Sequence, residues 1–119
     1  MAKVMIVDDS RTMRKMLSGA LNDEGYEVVG DAGNGEEALK LLETVTPDLI
    51  TLDITMPVMD GLEALGKIKE KYPDIKVVMV SAAGQKEKVM EALKKGAADF
   101  IQKPFDKENV MNTINKLLK

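Results

Sequence analysis

Five short apolar runs, each followed by a longer stretch with helical spacing, limit what this chain can fold into more than any other feature. The runs are KVMIV (3–7), EVVGD (27–31), DLITL (48–52), KVVMV (76–80) and DFIQ (99–102). Three of them are nearly continuous in Val, Ile, Leu and Met, the pattern of strands buried on both faces of a parallel sheet. Between the runs, apolar residues return at helical intervals: Met13, Leu17 and Leu21, then Ala38, Leu41, Leu42 and Val45. Leu62, Leu65 and Ile68 continue the pattern, as do Val89 with Leu93, and Val110, Ile114 and Leu117. Gly25 and Gly96 follow helical runs where a C-terminal glycine belongs, Gly61 opens the third helix from a tight loop, and Asp106 is placed to cap the last helix. The expected architecture is α/β: a (βα)5 series with right-handed crossovers, forming one doubly wound parallel sheet with helices on both faces. No internal repeat and no Pro/Ser-rich linker divides the 119 residues, so one domain over 1–119 is expected.

Composition removes several classes of function. With 45% apolar and 31% charged residues the chain reads as an ordinary globular domain. A net charge of −3 speaks against a nucleic-acid binder, whose footprint is a basic patch. No apolar run approaches a membrane span, and no signal-peptide pattern precedes the first strand. Zero cysteine excludes a disulfide framework and thiol chemistry and suits a cytoplasmic location. Zero histidine removes the commonest general base and the commonest transition-metal ligand. Any chemistry must therefore run on Asp, Lys, Ser or Thr, and any metal should be a hard, oxygen-loving ion. Nine methionines scattered through strands and helices read as adaptable core filler, and the charge-rich stretch 85–96 as a solvated helix face.

In a doubly wound sheet the working crevice lies beyond the carboxyl ends of the strands, so the residues that follow each run matter most. Asp8 and Asp9 follow the first strand, the third ends at Asp53, the fourth at Ser81, and the fifth at Lys103, followed by Pro104. Taken singly, each has a plain reading. The two aspartates can cap the first helix, Asp53 can start a turn, Ser81 can be a loop hydroxyl, and Lys103 a solvated charge. Parallel strands bring all of them to one edge. Three neighbouring carboxylates raise one another's pKa; one ammonium offsets one charge and a divalent cation would offset two. Mg2+ fits, since it takes one or two carboxylates, keeps several waters and recruits phosphate oxygens. A phosphoryl group would complete the arrangement, with one carboxylate attacking phosphorus and the lysine and the hydroxyl holding its oxygens.

These residues, with their surroundings VDDS (7–10), DITMPVMDG (53–61), SAAGQ (81–85), KKGAADF (94–100) and KPF (103–105), resemble the receiver domain of two-component response regulators over essentially the whole chain. The likeness is strongest to its single-domain chemotaxis regulators. The resemblance implies a flavodoxin-like strand order 2-1-3-4-5 and no output domain. It implies that Asp53 is the phosphoacceptor for a CheA-type histidine kinase. Asp9, Asp53 and the backbone carbonyl of Thr55 would ligate Mg2+, with Asp8 acting through a bound water. Lys103 and Ser81 would contact the phosphoryl oxygens, and Lys103–Pro104 would be a cis peptide. Ser81 and Phe100 would form the switch, through which an added charge of roughly −1.5 to −2 changes the face of the fourth helix, fifth strand and fifth helix. Lys86, Val89, Met90 and Phe100 are the contact candidates there. Thr55 and Ala83 occupy the positions that tune dephosphorylation. Ala83 has no group to orient water, so slow or ordinary self-hydrolysis is expected.

The partners implied are the kinase, a flagellar motor switch protein or adaptor, and a phosphatase of the CheC, CheX or FliY type, with the chain itself a monomer. Beyond self-phosphorylation from small donors and self-dephosphorylation, no enzyme activity is expected. Two other readings stand beside this one. An aspartyl-phosphate phosphatase-type enzyme would want a second acid two residues after its nucleophile, where Thr55 stands. A flavodoxin-like mononucleotide binder would want a phosphate loop rich in Gly, Ser or Thr after the first strand, where Asp8 and Asp9 stand.

Overall fold

A computed structural model describes all residues, 1–119. In chain order the elements are β1 Lys3–Val7, α1 Arg11–Asp23, β2 Glu27–Ala32, α2 Gly35–Leu41, β3 Leu49–Asp53, α3 Gly61–Lys71, β4 Lys76–Ser81, α4 Lys86–Lys94, β5 Asp99–Gln102 and α5 Lys107–Leu118. The five strands form one parallel sheet in the order β2-β1-β3-β4-β5. The strand order reverses between β1 and β3, which makes their carboxyl ends the topological switch point.

Alternation along the strands divides the interior. Val4 and Ile6 of β1, with Leu49 and Val78, face α1 and α5 and pack on Leu17, Leu21, Val110 and Ile114. Met5 and Val7, with Ile50, Leu52, Val77 and Met79, face α2, α3 and α4 and pack on Ala38, Leu65, Ile68 and Ala92. Both faces of the central strands are therefore buried, which is why their sequence is continuous rather than alternating.

Four helices start on the side chain of their N-cap: Ser10, Asn34, Asp60 and Asp106 each accept from the backbone three residues on. Gly25 and Gly96 adopt φ of 92° and 110° just past α1 and α4, as expected of helix C-termini. Three details depart from the sequence expectations. α2 ends at Leu41, and Val45 packs on the core from the turn that follows it. In α4 the inward residues are Val89 and Ala92, while Leu93 is 40% exposed. The small Ala92 lets α4 approach the sheet, and the bulkier Leu93 turns out. Among the methionines, Met5, Met56, Met79 and Met111 are buried, whereas Met16 and Met90 lie on the surface.

The loop from β3 to α3 is drawn in by close backbone contacts. Val58 has φ of 68°, a left-handed conformation that a β-branched residue rarely takes, and Met59 N–H donates back to Pro57 O at 2.7 Å. Gly61 N–H donates to Ile54 O at 2.7 Å, drawing the start of α3 against the end of β3. A Cβ on Gly61 would lie 2.1 Å from Asp53 O, whereas one on Gly66 in α3 meets nothing within 4 Å. Gly61→Ala is expected to lose about 2 kcal/mol or more, because only backbone movement relieves the clash. Gly66→Ala is expected to gain about 0.5–1 kcal/mol from helix propensity. Urea unfolding of the two variants measures both signs.

Candidate functional site

The carboxyl edge of the sheet presents, in spatial order, Asp8 and Asp9 after β1, Asp53 at the end of β3, Ser81 at the end of β4 and Lys103 after β5. One carboxylate oxygen from each of Asp8, Asp9 and Asp53 lies within 4.8 Å of the others. Asp8, Asp53 and Ser81 are buried, and Asp9 is open to solvent. Lys103 reaches back across the edge: its Nζ donates to Asp53 Oδ2 at 3.1 Å and lies 3.3 Å from Asp8 Oδ2. The peptide bond between Lys103 and Pro104 is cis.

The helix-capping reading of the two aspartates fails, because Ser10 caps α1 through Met13 N–H. Asp8 is held in the turn before the helix. Its Oδ1 accepts from Ser10 N–H at 2.8 Å, and its own N–H donates to Ala32 O at 3.0 Å. Arg14, unmarked in the sequence reading, secures the same turn: Nη1 donates to Asp8 O at 2.6 Å and Nε to Asp31 at 3.1 Å. An arginine one helical turn past an acidic pair was the signal available.

Asp8 Oδ2 is buried and accepts no hydrogen bond, Lys103 meeting it only as an ion-pair contact. Such an oxygen is costly unless a charge is placed on it. Two buried carboxylates and an exposed one, all oxygen donors, suit a hard divalent cation that keeps part of its water shell. The residues fit Mg2+.

Burial pushes the Asp53 carboxyl above the ordinary carboxylate range; the hydrogen bond from Lys103 pulls it down, and the charges of Asp8 and Asp9 add to the rise. For Lys103, burial works to lower the pKa, but its contacts with Asp53 and Asp8 outweigh burial and hold it above the usual lysine value.

The remaining candidates lie around this centre. Thr55 is exposed, and its Oγ1 accepts from Gln85 Nε2 at 2.6 Å. Ala83 is exposed on the β4–α4 loop. Phe100 is 40% exposed and Met90 51%, so neither is a core side chain, and Lys86 is exposed beside them. Val89 is 6% exposed and packs largely inward, while lining the cleft beside Met90. A cleft of about 490 Å³ runs from Ser81 and Gln85 to Met90, Leu93 and Phe100. No helix is long and apolar enough to cross a membrane.

Comparison with known proteins agrees with this geometry. Residues 4–115 match the family model of the response regulator receiver domain. The chain is 51% identical over 119 residues to the chemotaxis protein CheY of Listeria monocytogenes, covering all of both chains. It is 45% identical to CheY of Thermotoga maritima, covering 98% of each. A chain in the crystal structure of the CheX–CheY–BeF3–Mg2+ complex from Borrelia burgdorferi superposes with a TM-score of 0.94 at 38% identity, over 99% of this chain and 90% of that one. The chain therefore belongs to the response regulator receiver family, whose members bind Mg2+ at an acidic pocket such as the cluster of Asp8, Asp9 and Asp53. Within that family it is a CheY-type regulator, a phosphorylation-activated switch of chemotaxis and two-component signalling.

The raised pKa of Asp53 has a consequence for stability. The folded state binds this proton more tightly than the unfolded state, so ionising Asp53 opposes folding. Stability from this group is lost as pH rises from the ordinary value of 3.8 through the raised folded value. Without divalent cations, Asp53→Asn should melt a few degrees above the parent at neutral pH, and the gap should close by about pH 4. Thermal melts across that range check the sign.

Proposed function

We propose that Asp53 is the phosphoacceptor. Its carboxylate oxygen attacks phosphorus of a phosphohistidine on a CheA-type histidine kinase; the new P–O bond forms as the P–N bond breaks, and the electron pair leaves with the imidazole nitrogen. The observation that carries this is the pairing of the buried Asp53 with Lys103 at 3.1 Å beside Asp8 Oδ2, a buried oxygen that accepts no hydrogen bond. Asp9, Asp53 and the Thr55 carbonyl would hold Mg2+, with Asp8 supporting it through water. When bound, the cation neutralises charge on the transferring oxygens and on the carboxylates. Lys103 holds a phosphoryl oxygen from the opposite side, and the Ser81 hydroxyl, one residue past the strand position paired with Asp53, donates to another. The chain's own residues thus position and neutralise the phosphoryl group, which is most of what this transfer requires.

Ser81 and Phe100 form the switch. Ser81 is buried at the site end of the cleft and Phe100 is half-exposed on β5 at its other end. Movement of the hydroxyl toward a phosphoryl group opens room for the ring and alters the surface of α4, β5 and α5. Lys86, Met90 and Phe100 are the exposed contacts there, for a flagellar motor switch protein or adaptor. The Borrelia burgdorferi complex pairs CheX with a CheY, which supports a phosphatase of the CheC, CheX or FliY type as a partner of this chain. The chain acts as a cytoplasmic, monomeric messenger that phosphorylates itself from small donors and dephosphorylates itself.

Incubation with Mg2+ and acetyl phosphate should add one phosphoryl group by intact mass, and Asp53→Ala should add none. An equal adduct on Asp53→Ala would move the acceptor elsewhere. In the same assay, Ala83→Glu should lose its acyl phosphate faster than the parent, since a carboxylate there can orient water. Equal or slower loss would remove Ala83 from the control of lifetime.

A further inference from the structure

Gln85 occupies the N-cap position of α4, yet it is the one N-cap among the five helices whose side chain makes no capping bond. Its amide is engaged elsewhere. Oε1 accepts from Ala82 N–H at 2.6 Å, and Nε2 donates to Thr55 Oγ1 at 2.6 Å. One side chain therefore closes the β4–α4 loop on itself and ties it to the loop that follows Asp53. We propose that Gln85 is a latch between these two loops that holds the unphosphorylated arrangement of the site, and that it must release before a phosphoryl group is fully engaged.

The reason lies in the donors. A phosphoryl group on Asp53 has three oxygens that demand hydrogen bonds, and the nearest uncharged donors on the neighbouring strand end are the Ser81 hydroxyl and the next backbone amide, that of Ala82. The Ala82 N–H is already taken by Gln85. Turning it toward the phosphoryl group forfeits that bond, and with it the anchor that keeps Gln85 against Thr55. Gly84, with φ of 84°, and the uncapped first turn of α4 give the loop freedom to rearrange without breaking regular structure. Gln85 also lines the cleft that leads to Met90 and Phe100. Its release thus changes the site and the start of the output helix in a single step. A bond present in only one of two states biases the equilibrium toward that state, so removing it favours the other.

The inference rests on Asp53 as acceptor, and the test separates the two. Beryllofluoride at saturating Mg2+ is titrated into the parent, Gln85→Ala, Thr55→Val and the double variant, following backbone amides by NMR. Thr55→Val keeps the backbone carbonyl and deletes only the hydroxyl. Both single variants should bind the anion about three- to tenfold more tightly, the equivalent of one net hydrogen bond. The double variant should gain no more than Gln85→Ala, because the two changes break one linkage. In the anion-free protein the Ala82 amide should lose exchange protection on Gln85→Ala. Equal or weaker binding by Gln85→Ala would overturn the latch, and tightening by Gln85→Ala alone would overturn its anchoring on Thr55. Failure of the parent to take up beryllofluoride at all would instead strike at Asp53 as acceptor.

Discussion

Everything at the working edge depends on one ammonium placed among three carboxylates. Asp8, Asp9 and Asp53 bring three negative charges within a few ångströms, and Lys103 returns one positive charge at 3.1–3.3 Å from two of them. The arrangement is left two charges short of neutrality. Such a site is poor for stability and good for capture of a divalent cation, which supplies the two positive charges it lacks. The sheet makes it possible. No two of these residues except Asp8 and Asp9 are neighbours in sequence, and only parallel strands in the order β2-β1-β3-β4-β5 bring their carboxyl ends together. The buried, apolar strands behind the edge are the rigid support that keeps like charges from moving apart.

The central strands were legible because burial on both faces leaves long apolar runs, and the site was legible because its residues sit where the runs stop. Asp8, Asp53, Ser81 and Lys103 each follow an apolar run directly, so topology alone placed them. What escaped were features set by close contact rather than by pattern. Leu93 matched the helical stripe as well as Ala92 did, but packing distance between α4 and the sheet chose the smaller residue. Val45 matched the stripe of α2, yet the helix stops at Leu41 and the following turn carries Val45 to the core. Arg14 and Gln85 act through carbonyl, amide and hydroxyl partners that no periodicity marks. Val58 is stranger still: a β-branched residue at positive φ, in a position where turn chemistry asks for Gly or Asn.

That strain has a location worth relating to the rest. Val58 lies five residues after Asp53, in the loop whose start carries Thr55 and whose end is drawn in by Gly61 against the Asp53 carbonyl. Backbone strain persists only where surrounding structure holds it, and here the hold is the short link between the end of β3 and the start of α3. The loop after Asp53 is fixed by backbone bonds at both ends, Ile54 N–H to Val80 O and Gly61 N–H to Ile54 O, and Thr55 just inside it takes a side-chain hydrogen bond from Gln85. Of these holds, the Gln85 bond is the one that can release without disturbing the backbone frame.

The proposed coupling between the acidic edge and the surface would use that bond. Ser81 sits at the end of β4 with its backbone in the sheet: its carbonyl accepts from Lys103 N–H at 2.7 Å, so residue 81 is fixed to β5. From Ala82 onward the chain leaves the sheet and is held by side chains until α4 begins. A phosphoryl group on Asp53, as proposed, would meet rigid support on the side of β3 and Lys103 and a lightly held segment on the side of α4. Rearrangement takes the softer path. α4 carries Met90 and Leu93 on its outer side next to Phe100, so displacement of its first turn changes the shape and polarity of that surface while both cores stay packed. If Asp53 takes the phosphoryl group as proposed, the response would favour this face, because α4 is the one helix whose N-cap side chain is bonded elsewhere.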